Sequence, residues 1–155
     1  MESFLDQNFI GNSVQEYLIV LGIILLGMLI VNILKRVVLH RIEKWTSATE
    51  TDIDDYIFES FNKFVMPIIY FSIIYAAVQT LNLGMNVENA IEAAFIVITT
   101  YYSVRLISSL ILLALRFYVR RQDEGEEKVK QLGGVMLIIN IVIWATGFIF
   151  LFDNL

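Results

Sequence analysis

The most unusual chemistry-bearing residue in this 155-residue chain is Arg105. It lies mid-way along an apolar run of helical character, with Tyr101, Tyr102, Ser108 and Ser109 at i−4, i−3, i+3 and i+4, so helical spacing gathers polar side chains around one guanidinium. Burying an arginine at the centre of a bilayer costs between ~2.5 and ~17 kcal/mol depending on the reference, so this one should face protein, water or thinned lipid. No Asp or Glu lies deep in any expected span. Its partners are therefore hydroxyls, a backbone carbonyl, Asn140 on the last span, or a lipid phosphate reached by snorkelling. A voltage sensor would repeat Arg every third residue, whereas the basic residues here run 105, 116, 120, 121. A proton or cation path would want buried carboxylates.

Bond-making chemistry finds little support. The chain has no Cys and one His, His40, which excludes disulfides, thiolate nucleophiles and a His-based metal cluster. It has no Ser-His-Asp set and no phosphate-cradling Gly loop, so we expect no enzyme and no cofactor. Asp52, Asp54 and Asp55 lack the glycine and remaining oxygen ligands of a calcium loop. Behind Thr51 they read as carboxylates at the positive end of a helix. Lys35, Arg36, Arg41, Arg116, Arg120 and Arg121 cluster at helix ends, where each is worth on the order of 1 kcal/mol to an anionic leaflet. Ordinary topology signals explain them equally well. Gly133, Gly134 and Gly147, with Gly22 and Gly27, are candidates for close helix approach, although none makes a strict G-x-x-x-G.

These residues need long apolar helices to carry them. Hydrophobic residues make up 57% of the chain and the mean hydropathy is +0.69, beyond the roughly 45–50% apolar content of soluble domains. The fold expected is all-α and integral to the membrane, with an N-terminal segment at 1–16 and spans at about 17–38, 64–81, 90–119 and 132–152. The opening residues carry no basic stretch or cleavage site of a signal peptide. An amphipathic interfacial helix is expected from Thr51, with Ile53, Tyr56, Ile57, Phe61 and Phe64 on one stripe. Pro67 should kink or break the path near Lys63 and act as a hinge. Asn89 and Glu92 form a capping-box pair before the third span.

The net charge of −5 misleads, because the charges are segregated. Ten of the eleven Lys and Arg residues (35, 36, 41, 44, 63, 116, 120, 121, 128 and 130) fall on one side of a four-span arrangement, and the eleventh is Arg105. The positive-inside rule then places both termini outside the cytoplasm. Nucleic acid is not expected as a partner; membrane lipid is.

The stretch 51–81, with its T-D-I-D-D opening, amphipathic turn, basic residue and Pro, apolar run and closing L-N-L-G, resembles the outer transmembrane helices of five-span members of the small-conductance mechanosensitive channel (MscS-like) family. The run 144–155, ending F-D-N-L, is similar to the end of the span that precedes the family's pore helix. The resemblance implies a tension-sensing region in the cell (inner) membrane, built as a homo-oligomer when full length; it assigns no role to Arg105, which by its own surroundings is structural, lipid-contacting or coupled to tension gating. The Ala/Gly-patterned pore helix and the cytoplasmic β domain of that family are not in these 155 residues, so the chain reads as a truncation. The alternative is a stand-alone four-span scaffold or accessory subunit of a transporter.

Overall fold

The computed structural model describes residues 7–46, 53–120 and 126–155. A two-residue hairpin, β1 (Asn8–Phe9) with β2 (Asn12–Ser13), is followed by α1 (Val14–Thr46), α2 (Ile53–Ser60), a π turn (Phe61–Val65), α3 (Met66–Val78), α4 (Met85–Arg120) and α5 (Glu126–Asn154). Four stretches are long and apolar enough to cross a membrane: Val14–Val38, Tyr56–Val78, Met85–Leu115 and Gly133–Asn154. The chain is thus an all-α multi-pass membrane protein, apart from its small hairpin.

Several boundaries differ from the sequence expectation. Helix α1 starts at Val14 because Ser13 and Glu16 form a reciprocal cap. The Ser13 N–H donates to Glu16 Oε2 at 2.7 Å, and the Glu16 N–H donates to Ser13 Oγ at 3.2 Å. Helix α4 starts at Met85, so Asn89 and Glu92 are interior helical positions rather than a cap. Its first turn is set by the Gly84 carbonyl, which accepts from Val87 N–H at 2.8 Å and Glu88 N–H at 3.1 Å. The cap expected at Thr51 and Asp52 lies outside the described residues, while Asp54 and Asp55 fall within α2.

Pro67 does not end its helix. The turn immediately before it widens to the π form, with the Met66 N–H bonding to the Phe61 carbonyl five residues back. Proline offers no N–H to the carbonyl of Lys63 and its ring crowds that group, and one extra residue in the turn relieves the crowding while keeping a helical path. Residues 53–78 therefore run continuously, with no gap between the amphipathic start and the apolar run.

The chain forms two compact units. The first comprises Met1–Ala48 and Ile68–Phe95. Its hairpin turns at Ile10 (φ 49) and Gly11 (φ 84), the two left-handed positions a two-residue primed turn requires. The buried Asn12 carboxamide donates to the Ile10 carbonyl at 3.2 Å and to the Asn82 carbonyl at 3.0 Å, and accepts from the Asn82 N–H at 2.7 Å. The hairpin is thereby fastened to the turn before α4. Deeper in this unit, Gly27 lies under Ile73, where an added Cβ would come within 2.7 Å of Ile73 Cγ2. Tyr70 donates to the Asn32 side chain, and Tyr75 stacks on Phe95 at 4.2 Å between centroids.

The second unit comprises Thr49–Pro67 and Ile96–Leu155. Here Gly147 of α5 lies against Val104 of α4, and a Cβ at Gly147 would meet Val104 Cγ2 at 2.6 Å. Gly133 and Gly134 have nothing within 4 Å of the position a Cβ would take, so neither is a site of close approach in this chain. Gly22, in the first unit, is likewise open.

Candidate polar cavity

Eight polar or charged side chains of the second unit line a cavity of about 360 Å³. Tyr56, Glu59, Ser60, Lys63 and Phe64 reach it from α2 and the π turn, Arg105, Ser108, Ser109 and Leu112 from α4, and Met136, Asn140 and Trp144 from α5. On the first element, 56, 59, 60 and 63 recur at i, i+3, i+4 and i+7, which puts four polar side chains on one helix face.

One wall is a chain of hydroxyls. Ser109 Oγ donates to Tyr56 Oη at 3.1 Å, and Ser109 Oγ and Ser60 Oγ are 2.9 Å apart. A hydroxyl has one proton, so with Ser109 donating to Tyr56, Ser60 must donate to Ser109, and the Tyr56 proton is left for another acceptor. Ser60 is buried, and Ser108 Oγ is buried without a hydrogen-bond partner. Asn62, in the π turn, donates to the Phe58 carbonyl at 3.1 Å, while its Oδ1 is buried without a partner.

Aromatic rings and cations complete the lining. The Arg105 guanidinium sits 5.8 Å from the Tyr101 ring centroid, within cation–π range. Tyr101 meets Tyr102 edge-on at 5.3 Å and Trp144 at 6.0 Å, and Trp144 continues to Phe148 at 6.0 Å. Lys63 lies 5.8 Å from the Phe64 centroid.

Of the residues singled out by sequence, Arg105, Ser108, Ser109 and Asn140 share this cavity, and Tyr101 supports the guanidinium from one side. Lys35 is half-buried and Arg36 exposed on α1, away from it in sequence and in a different unit. Arg41, Arg116 and Arg120 belong to α1 and α4 but their side chains are not described, and Arg121 lies outside the described residues. Tyr56, Glu59, Ser60 and Lys63 do not stand out as a group in the sequence. Hydrophobic patterning puts Tyr56 on the apolar stripe and Lys63 at the membrane boundary, although the i, i+3, i+4, i+7 spacing of the four is readable.

Among the described lining residues the hydroxyl chain ends on no base, and the charges are one carboxylate and two cations. No protein-family model, characterised relative or solved structure matches the chain.

Proposed function

We propose that this chain is the membrane-tension-sensing transmembrane region of an MscS-like mechanosensitive channel, both of whose ends lie on the extracytoplasmic side of the cell (inner) membrane. The observation that carries the reading is how little of the apolar surface the chain covers for itself. Over the eighteen-residue apolar window of each of the four stretches the buried share is 6%, 11%, 22% and 0% in chain order, so lateral forces in lipid, or in neighbouring copies, act directly on the helices. Tension does work only on a difference in area between states, and helices exposed along their length are the elements whose tilt changes that area. The T-D-I-D-D to L-N-L-G stretch that resembles the family supports the same reading, with the continuous helix through Pro67 as the element that transmits the load.

The test is patch recording under suction from cells lacking other mechanosensitive channels and expressing the natural reading frame that contains this sequence. Tension-activated current is expected; its absence with protein present at the surface would sink the proposal. The large exposed part of the α5 surface also suits the second reading, a scaffold or accessory subunit of a transporter, which that outcome would favour.

A further inference from the structure

We propose that the tip of the β1–β2 hairpin, Phe9 and Ile10, is a membrane-contact element that seats in the boundary between headgroups and acyl chains of the leaflet on its own side of the bilayer. The contact requires only that the apolar helices cross a membrane, whether or not they serve a channel.

Ile10 is a misfit twice over. A primed turn favours Asn, Asp or Gly at its first central position, where φ is positive, and this chain puts a β-branched residue there at φ 49. The same side chain is 81% exposed, and Phe9 beside it is 58% exposed. In water the backbone cost stands and the apolar surface stays wet. Against acyl chains the side chains turn from a liability into a gain, because apolar area leaves water. Melting in detergent reads the backbone cost alone, since the unfolded chain offers Ile10 to the micelle as well.

The hairpin lies at the right level. The first apolar stretch begins at Val14, directly after β2, the second ends at Val78 and the third begins at Met85, and all three limits are helix ends. Asn12 fastens the hairpin to Asn82, between the last two. Tyr17, in the first turn of α1, donates to the Phe9 carbonyl at 3.1 Å. A helical side chain leans toward the start of its helix, so this bond holds Phe9 beside that start instead of letting the hairpin stand off into water. Met85, three residues beyond Asn82, is 77% exposed and adds apolar surface at the same level.

The tip can also leave water at little polar cost. Residues 7–13 carry no formal charge. The Phe9 carbonyl is taken by Tyr17, the Ile10 carbonyl by the Asn12 amide at 3.2 Å, and the Gln7 carbonyl by the Val14 N–H at 3.1 Å. Acceptors satisfied inside the protein need no water, which is the condition for placing irregular backbone against lipid.

The test uses the absence of native cysteine. Phe9→Cys, Ile10→Cys and Asn8→Cys, each carrying a single nitrobenzoxadiazole dye, are prepared in the full chain in phosphatidylcholine vesicles. At 9 and 10 iodide should quench several-fold less than it quenches the dye on free cysteine, and a nitroxide near the lipid headgroup should quench more than one at the end of the acyl chain. At Asn8, a polar strand position, iodide should quench clearly more than at the tip. Iodide quenching at 9 and 10 equal to that of the free dye would overturn the proposal, and equal lipid quenching at Asn8 would assign the contact to the dye. Shielding from iodide without quenching by either nitroxide lipid would overturn it in favour of a protein neighbour, such as a second copy of the chain.

Discussion

Asn12 shows how one side chain can fix a local structure that sequence spacing does not reveal. Its carboxamide makes three hydrogen bonds, two of them to the backbone of a residue seventy positions away, and it is 1% exposed. Asn12→Ala would strand the Asn82 N–H and carbonyl where the hairpin excludes water, and should cost about 2 kcal/mol. Thermal unfolding in detergent should show a clear drop, with exposed Asn8→Ala as a near-neutral control. Ile10 carries the opposite lesson. A β-branched residue at φ 49 costs about 1 kcal/mol, and with 81% of its surface exposed it regains nothing by packing. Ile10→Asn should therefore raise the melting point, and an unchanged or lower value would show that the turn is held by something other than backbone preference. Both effects escape sequence reading for a physical reason: a pairing across seventy residues has no periodicity, and Ile-Gly is a poor advertisement for a primed turn. Ser13-Val-Gln-Glu16, by contrast, is legible as a capping box and marks the true start of α1.

At the scale of elements, composition locates the apolar helices well because about eighteen or more uncharged residues leave few alternatives. It locates their ends poorly. The third apolar helix begins at Met85 and not after Asn89, since a glycine carbonyl can serve the first turn as well as a side-chain cap. Pro67 is legible as a disturbance but not in its form, because whether a helix answers proline by breaking or by widening depends on what holds its two sides. Here the hydroxyl contacts of Ser60 hold α2 on α4. Pro67→Ala restores an N–H able to bond the Lys63 carbonyl, which should return the π turn to α geometry. Squeezing one residue out of the turn shifts residues 53–60 by about 100° of helix rotation and carries Ser60 off Ser109. The native chain has no cysteine, so a Ser60→Cys, Ser109→Cys pair reports this directly. Disulfide formation should be fast with Pro67 in place and several-fold slower once Pro67→Ala is added; equal rates would show that proline does not set the π turn.

For the whole molecule, the decisive feature is the pairing of uncovered apolar helices with cations gathered at alternate ends. If all four apolar stretches cross, the two ends of the chain share a side, and every Lys and Arg but Arg105 lies at or near the opposite one. Each cation costs several kcal/mol to pull across the hydrocarbon, so this distribution favours the orientation proposed above. Single cysteines at Gly84, Asp123 and Leu155, each the sole thiol in its variant, read that orientation with a membrane-impermeant maleimide on intact cells. Labelling is expected at 84 and 155 without lysis and at 123 only after it. External labelling at 123 would reverse the orientation and place the five cations from Arg116 to Lys130, together with Lys35 and Arg36, on the wrong face for an anionic cytoplasmic leaflet. Opposite labelling of 84 and 155 would mean that one of Met85–Leu115 and Gly133–Asn154 does not cross.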